Sequence, residues 1–319
     1  MNPQNLGIAI AALVTTSVNL FGAAKPATAV TILGLPAFGY SSSLLRFDSD
    51  KPSDVTGVSL TGVTRGSLLG IDLRPANNLV YGLTGTSVYT IDPFSGATKL
   101  VSTLSEPLNS GGGRFGIDFD PVADRLRVVG GSGQQNLSIN VDTGAVTRYE
   151  QLNFDDRVTR NDPFIGITSA AYTNSDTDPA TDTTLYTISS GFRLTSQNLF
   201  IQNPVDSGTQ VQVRALTSSN LYTAMDFDIA TVDGVNTAFF ASFAGISSNS
   251  NAPFNFSLSA INLDGSGGRS LGTIGNGLYP LRGLTVLPKA VPEPTTIAGL
   301  ATVTAGLVVS RRKPKKASD

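Results

Sequence analysis

Hydrophobic and polar residues alternate along most of the chain in short runs, of which Val88–Ile91 (VYTI) is typical. Alternation with a period of two predicts half-buried β-strands, because successive side chains of a strand point to opposite faces. Clusters of Gly, Asn, Asp and Pro separate these runs, and such clusters mark turns. Between residues 30 and 290 no long stretch has the 3.6-residue period of an amphipathic helix. The pattern therefore predicts an all-β domain.

One short motif recurs within this β-rich region. Gly70–Pro75 (GIDLRP) is repeated as Gly116–Pro121 (GIDFDP), and weaker copies begin at Ala170, Ala224 and Gly283. Each copy starts with a small residue, continues with an apolar one, and begins 46 to 59 residues after the copy before it. Internal repeats of this length are typical of architectures built from repeated supersecondary units.

Three further predicted strands follow each of the first four copies, and an Asp- or Asn-rich turn that contains Gly joins the last two. The four turns are Asp92–Gly96, Asn140–Gly144, Asn203–Gly208 and Asn262–Gly267. Asp and Asn side chains accept the local backbone hydrogen bonds of such turns, and Gly takes the position with positive φ. Four strands per repeat predict the blade of a β-propeller.

The two ends of the domain supply a further blade by halves. The segments 30–35, 44–48 and 55–60 have the pattern of three outer strands, and 282–287 has the pattern of an inner strand without outer ones. Pairing these segments would close the ring and remove its exposed sheet edges. We therefore predict five four-stranded blades with closure between the N- and C-terminal strands, and the alternatives are a six-bladed ring and a β-sandwich.

The first 29 residues have the pattern of an export signal. An apolar stretch runs from Leu6 to Phe21, and Ala27-Thr28-Ala29 has the small-residue pattern of a cleavage site. Only the terminal amine supplies positive charge before the apolar stretch. We predict a signal peptide at 1–29 with cleavage at Ala27 and Ala29, and a buried first helix is the alternative.

The last 29 residues, 291–319, combine a short motif, an apolar run and a basic tail. The motif is Pro292-Glu293-Pro294, and the apolar run covers 297–309. The basic residues are Arg311, Arg312, Lys313, Lys315 and Lys316. The run is short for a transmembrane helix, which needs about 20 apolar residues. The basic tail predicts a stop on the cytoplasmic side.

This order of features closely resembles the PEP-CTERM sorting signal of Gram-negative bacteria and cyanobacteria, with Pro292, Glu293 and Pro294 at the hallmark positions. The resemblance implies that an exosortase recognises the tripeptide and processes the tail during export. It also implies a link with extracellular polysaccharide. An ordinary C-terminal membrane anchor is the alternative, and it too would leave the domain 30–290 outside the cytoplasm.

The domain itself resembles a bacterial family called domain of unknown function 4394. The segments that carry the resemblance are 68–83, 115–130, 135–147 and 170–178. Members of that family often carry signal peptides and sorting tails. The family has no established activity. The resemblance therefore implies a fold and a cellular location, but no catalytic residues.

Composition excludes several classes of function. The chain contains no His, no Cys and no Trp. A Ser-His-Asp triad, a thiolate nucleophile and the usual Cys/His zinc sites are therefore excluded. The domain 30–290 carries a net charge of -6, which disfavours nucleic-acid binding because a duplex binder needs a basic face. The near-neutral total of -2 conceals an acidic domain and a basic tail.

Asp72, Asp118 and Asp226 stand at the same position of the repeated motif, where Tyr172 and Thr285 stand in the other two copies. In a propeller these side chains could surround the central channel. A ring of carboxylates can bind a hard cation, and a pair of acids can serve glycoside chemistry. The alternative is structural, with each Asp accepting hydrogen bonds within its own blade. Nearby arginines that could pair with them are Arg74, Arg125 and Arg127.

Asp176, Asp178 and Asp182 resemble the start of a calcium-binding loop. The EF-hand template requires Gly at its sixth position and Glu at its twelfth, and this chain has Thr181 and Thr187 there. A polar hairpin loop is the alternative to an opportunistic Ca²⁺ site. The glycine-rich segments 111–113 and 130–133 lack the lysine and helix of a phosphate-binding loop, so we predict ordinary loops there.

Together these features predict an exported propeller that acts as a binding or structural module at the cell surface or in the extracellular matrix. Its expected partners are the export machinery, an exosortase, the membrane through the C-terminal helix, and a polysaccharide. No cofactor is expected except Ca²⁺ at the aspartates named above. The alternative is an extracellular glycan hydrolase or lactonase that uses the channel-lining Asp residues.

Overall fold

The computed structural model describes residues 29–37, 42–155, 166–178, 180–190, 197–216, 224–232, 234–244 and 255–288. The predicted signal peptide before Ala29, the sorting motif, the C-terminal helix and the basic tail lie outside the described residues. Within those ranges the secondary structure consists of 21 β-strands in five sheets. The described residues include no helix that is long and apolar enough to cross a membrane.

Each sheet is one blade of a propeller, named I to V in chain order. Blade I contains β1 (Thr31–Pro36), β2 (Ser43–Asp48), β3 (Lys51–Ser59) and β21 (Leu281–Leu287). Blade II contains β4 (Gly70–Arg74), β5 (Leu79–Leu83), β6 (Ser87–Ile91) and β7 (Thr98–Thr103). Blade III contains β8 (Phe115–Asp120), β9 (Arg125–Gly130), β10 (Gln135–Ile139) and β11 (Val146–Arg148).

The remaining two blades follow the same plan. Blade IV contains β13 (Gly166–Tyr172), β14 (Leu185–Ser190), β15 (Asn198–Gln202), β16 (Thr209–Ala215) and the additional short strand β12 (Asn153–Phe154). Blade V contains β17 (Ala224–Val232), β18 (Val235–Ala244), β19 (Asn255–Ile261) and β20 (Arg269–Thr273). The strand β12 pairs in parallel with β16, whereas the other neighbours within each blade are antiparallel.

The ring closes in blade I, as the sequence predicts. The order of that sheet is β21-β1-β2-β3, so the last strand of the domain pairs with the first. Thr31 lies opposite Leu287, and Leu33 lies opposite Thr285. The prediction of five blades is confirmed, and the alternatives of six blades and a β-sandwich are wrong.

The hydrophobic core is divided into clusters that lie between adjacent blades. Ile71 of β4 packs with Leu33 and Leu35 of blade I. Ile117 and Phe119 of β8 pack with residues of blade II in the same way. Alternate residues of an inner strand thus face the preceding blade, and the residues between them face the following one. Burying each such side chain contributes about 1.5–3 kcal/mol, so the contacts between blades are a main source of stability.

The outer turns form a second set of contacts between blades. In the turn Asp92–Gly96, the Asp92 carboxylate accepts the amide of Phe94 at 2.8 Å. The carbonyl of Gly96 accepts the amide of Thr61 from the end of blade I at 3.0 Å. The turn Asn140–Gly144 repeats this arrangement against Ser105 at 2.8 Å. A side chain on Gly96 would overlap Ser59 of blade I, and the φ of Gly96 is 72°, which explains the glycine at this position.

Candidate ligand site in the central channel

The five inner strands surround the axis of the propeller and place their side chains in two stacked rings. We call these the carboxylate ring and the glycine ring. In both rings the side chains, or the Cβ positions of the glycines, face the following blade. The carboxylate ring consists of Asp72, Asp118, Ala171, Asp228 and Thr285. The glycine ring consists of Gly70, Gly116, Ser169, Asp226 and Gly283.

The two rings correct the alignment of the repeats at blades IV and V. Asp226 lies in the glycine ring, and Asp228 takes the position equivalent to Asp72 and Asp118. In blade IV that position belongs to Ala171, because Tyr172 faces back toward Val129 of the preceding blade. Irregular pairing near Ser169 in β13 and before Asp226 in β17 shifts the register there. Sequence spacing does not reveal such bulges.

The four polar members of the carboxylate ring bind the backbone of the next blade, and Ala171 has no side-chain acceptor. Asp72 accepts the amide of Phe119 at 2.6 Å, and Asp118 accepts the amide of Tyr172 at 3.0 Å. The corresponding bond from Val286 to Asp228 measures 2.7 Å. Thr285 completes the circuit, since its hydroxyl accepts the amide of Leu73 at 3.3 Å and donates to Asp72 at 3.0 Å. These hydrogen bonds run from blade to blade, not within one blade as the structural alternative expected.

The glycine ring supplies the same kind of bond where it has polar members. The Ser169 hydroxyl accepts the amide of Phe227 at 3.0 Å and donates to the carboxylate of Asp226. Asp226 in turn accepts the amide of Leu284 at 2.8 Å. Asp226 therefore bridges blades IV, V and I. It does not join the other two aspartates that the sequence singled out.

Asp72, Asp118 and Asp228 form a compact cluster, which we call the carboxylate trio. One oxygen of each can be chosen so that all three lie within 4.8 Å of one another. All three side chains are buried. Burial, with the charge of Asp228, raises the pKa of Asp72 well above its usual range. Burial also raises the pKa of Asp118, and it raises the pKa of Asp228 to about 6.

The arginines expected to pair with these aspartates bind elsewhere. Arg74 points outward and binds Asp124 at 2.6 Å and Asp142 at 2.9 Å, both in blade III. Arg127 binds Asp206 of blade IV at 3.2 Å. Arg74 lies two residues beyond Asp72 on β4. Arg127 lies opposite Asp118 in the pairing of β8 with β9, but its guanidinium binds Asn136 and Asp206 instead. They therefore join blades, and the trio lacks an ion pair among the described residues.

A cavity of about 660 Å³ opens at the end of the channel where the inner strands terminate. Asp72, Asp228 and Thr285 line it on the channel side. Residues of the outer wall include Asn78, Asn174, Asp176, Thr177 and Thr181, with Leu287 and Pro288 beside them. We call this opening the acidic mouth. Its volume is within the range of small-molecule sites, and its wall mixes polar and apolar groups.

The loop with the calcium-like aspartates lies beside the acidic mouth. The carboxylate of Asp176 accepts the amide of Asp178 at 2.9 Å, and that of Asp178 accepts the amide of Ala180 at 2.9 Å. These are the bonds of a polar turn. In the part of the chain that the structure describes, the acidic group close enough to hold one ion is the carboxylate trio. Asp228 is the member of it that sequence reasoning missed.

Five blades form a closed ring around a polar channel. The chain is therefore a five-bladed β-propeller with a candidate ligand site at one end of its axis. The chain belongs to the family described as domain of unknown function DUF4394, whose model matches residues 43–285. No curated protein has a matching sequence.

Two solved structures are similar to this chain at low sequence identity. A putative TolB from Agrobacterium tumefaciens is 12% identical, with a TM-score of 0.39 over 83% of this chain and 92% of its own. A quinonprotein alcohol dehydrogenase-like protein from Bacteroides thetaiotaomicron is 11% identical, with a TM-score of 0.33 over 79% of this chain and 57% of its own. The five-bladed architecture rests on the strand pairing described above and not on these likenesses.

Proposed function

We propose that the protein is an exported binding module, held at the cell surface or in the extracellular matrix, whose ligand enters the acidic mouth. The observation that carries the proposal is the cavity of about 660 Å³ at the end of the channel. The sequence patterns of 1–29 and 291–319 support export and exosortase-type processing. The hydroxyl, amide and carboxylate groups of the wall can donate to and accept from the hydroxyls of a sugar, so a polysaccharide is the partner we propose.

The geometry favours binding over hydrolysis. A glycosidase needs two carboxylates with separate protonation states at an accessible bond. Asp72 and Asp228 line the mouth, but each accepts a backbone amide of the following blade. Asp176 is exposed and accepts an amide of its own turn. The described residues of the mouth thus offer no pair of unengaged carboxylates.

The cellular location can be tested by changing Pro292, Glu293 and Pro294 simultaneously to Ala in the full chain. We expect the wild type to be processed and retained at the cell envelope, and the triple variant to keep its unprocessed tail. A matched control replaces Thr295 and Thr296 with Ala. Immunoblots of envelope and medium fractions measure both size and location. Identical processing of the wild type and the triple variant would contradict exosortase recognition.

Ligand entry can be tested by Thr177→Arg, which places a long charged side chain at the rim of the acidic mouth. Thr177 is exposed and makes no side-chain hydrogen bond among the described residues, so the fold should tolerate the change. We expect binding of the full chain to immobilised bacterial exopolysaccharides to weaken at least tenfold. Thr147→Arg, on the outer strand β11, is the control and should bind as the wild type does. Absence of wild-type binding to every polysaccharide would exclude the carbohydrate partner.

A second candidate function is cation binding by the carboxylate trio, of which Asp72 and Asp228 line the acidic mouth. Ca²⁺ takes oxygen ligands at 2.3–2.6 Å, so oxygens of one shell lie within about 5 Å of one another. The trio satisfies this condition, with its oxygens within 4.8 Å. Three carboxylates without a basic partner repel one another when ionised, and a divalent cation would remove that repulsion.

The cation candidate predicts a metal-dependent stability. At pH 7, CaCl₂ should raise the melting temperature of the full chain by several degrees. Asp118→Asn should abolish this increase, because it removes one ligand charge from the trio. Asp50→Asn, at the exposed turn between β2 and β3, should leave it intact. A melting temperature that does not respond to Ca²⁺, or that responds equally in Asp118→Asn, would exclude the cation site.

A further inference from the structure

The channel end opposite the acidic mouth carries two arginines where inner strands begin. Arg114 immediately precedes β8 of blade III, and Arg282 is the second residue of β21 of blade I. Both lie where the inner strands begin, whereas the trio and the mouth lie toward the strand ends. Both side chains are partly exposed. We call this pair the arginine end of the channel.

The two guanidinium groups lie close together and hold main-chain carbonyls of other blades. Arg114 donates from Nη2 to the carbonyl of Leu281 at 2.7 Å, which places it beside the residue that precedes Arg282. Arg282 donates from Nη1 to the carbonyl of Leu68 in blade II at 3.2 Å. Burial lowers the pKa of Arg114, the neighbouring charge of Asp226 opposes that effect, and the charge of Arg282 lowers the pKa further. The two positive charges therefore repel each other at this end.

Arg282 has hydrogen-bonding capacity that the protein does not use. Its Nε is buried and has no hydrogen-bond partner within the described ranges. A guanidinium carries five N–H donors in a rigid fork, and a buried donor without an acceptor costs about 1–3 kcal/mol. The bond from Nη1 leaves the opposite edge, with Nε and Nη2, facing away from Leu68. That edge matches the two oxygens of a carboxylate or a similar oxyanion.

Arg282 also forms no ion pair with any residue that the structure describes. The four ion pairs of the described residues involve Arg74, Arg127 and Arg148, and none involves Arg282. Asp226, whose charge acts on Arg114, has its oxygens engaged by Ser169 and Leu284. Burial raises the pKa of Asp226 to about 7, so at neutral pH it carries only part of a negative charge.

We infer that the arginine end is a second binding site, specific for an oxyanion that binds the Nε edge of Arg282 in a bidentate manner and is attracted by Arg114. The carboxylate of an acidic sugar and a free inorganic anion share this chemistry. The site is separate from the acidic mouth, so it does not depend on the function proposed above. The acidic mouth and the arginine end of the propeller would then prefer ligands of opposite charge.

The test measures binding of full-chain protein by isothermal titration calorimetry. The probes are an oligouronate, a neutral oligosaccharide of equal length, and sodium sulfate. We expect the oligouronate to bind at least tenfold more tightly than the neutral oligosaccharide, with an affinity that falls as NaCl is raised. Equal affinity for the oligouronate and the neutral oligosaccharide would overturn the proposal. Tight binding of sulfate alone would support the oxyanion site and assign it to a free anion.

Variants then connect binding to the Nε edge. Arg282→Gln removes the charge and the fork, and Arg282→Lys keeps the charge but removes the fork. We expect a loss of at least tenfold in Arg282→Gln and a smaller but measurable loss in Arg282→Lys. Arg148→Gln, on the outer strand β11, makes the same change of charge at an exposed pair with Glu106 and should bind as the wild type. Wild-type affinity in both Arg282 variants would contradict the site.

Discussion

Four buried aspartates of the channel each accept a backbone amide from a neighbouring blade, namely Asp72, Asp118, Asp226 and Asp228. Burial nevertheless favours the neutral form of a carboxylic acid. The pKa of every one of them is raised, with burial as the largest cause. A neutral carboxylic acid still accepts an amide hydrogen bond at its carbonyl oxygen. The inter-blade bonds therefore persist when these residues are protonated, and ionisation adds repulsion within the channel.

We predict from these raised pKa values that the protein becomes less stable as the pH rises from about 4 to about 7. A group whose pKa is higher in the folded state than in the unfolded chain stabilises the fold below the unfolded pKa. That contribution is lost as the pH rises through the folded pKa. The loss spans the interval up to about 6 for Asp228 and about 7 for Asp226. Melting temperatures in the presence of a chelator should fall by several degrees across this range.

The control for this pH dependence is Asp228→Asn, which cannot titrate but keeps an acceptor for Val286. Its melting temperature should fall less steeply with pH than that of the wild type. Asp50→Asn, at an exposed turn, should keep the wild-type slope. A wild-type melting temperature that rises steadily between pH 4 and 7 would refute the assignment of these pKa directions.

At the scale of the strand, the glycine ring lets the inner strands approach one another closely. A side chain on Gly116 would overlap the backbone of Ser169 and Ala170 on β13. Gly70 and Gly283 have the same role against Ile117 and Ile71, where the added Cβ would come within 2.6 Å and 3.1 Å of a neighbouring atom. Three of the five inner strands thus use glycine because the next strand occupies the space of a side chain.

We predict that Gly116→Ala lowers the free energy of unfolding by about 3 kcal/mol or more. The added Cβ would clash with backbone atoms, which cannot move aside as a flexible side chain can. The loss of stability should therefore lie at the upper end of the range for overpacked cores. Gly85→Ala is the matched control. A Cβ on Gly85 meets no atom within 4 Å, so this variant should have the stability of the wild type or slightly more. Urea unfolding measures both, and equal midpoints would contradict the close approach of β8 and β13.

The sequence predicts the strands well because alternation, turn glycines and the GIDLRP-type repeat are local signals. The outer turns at Asp92 and Asn140 form as predicted, since their side chains bond to amides two and three residues ahead. The carboxylate trio was predicted only in part. Asp226 and Asp228 lie two residues apart on the same face of β17, and nothing local shows which of them enters the ring with Asp72 and Asp118. The arginine end depends on contacts between blades I, II and III, which no single repeat encodes.

At the scale of the whole molecule, stability depends on closing the ring in blade I. β21 pairs with β1, and its Leu284 and Val286 pack against blade V. Its Thr285 binds Leu73 and Asp72 of blade II. One strand thus contributes to its own sheet and to both neighbouring blades. Its loss would expose β1 as a free edge and open two of the interfaces between blades.

We predict that a chain comprising residues 30–280 will not fold cooperatively, because it lacks β21. A chain comprising residues 30–290 keeps β21 and loses only the tail, so it is the matched control and should unfold in one cooperative transition. Circular dichroism melts compare the two. A cooperative melt of 30–280 with the midpoint of 30–290 would show that ring closure is not required.

The pairing of Thr31 with Leu287 also determines how the molecule would be oriented on a surface. Val30, Leu287 and Pro288 line the acidic mouth, so the chain enters and leaves the domain at that end. Eight residues separate Pro288 from Ile297, and eight residues span at most about 29 Å. A propeller tethered through its tail would therefore stand with the acidic mouth toward the membrane, and a polysaccharide would reach the mouth through the gap that this linker spans. The arginine end would point away from the cell and meet the long chains of the matrix first.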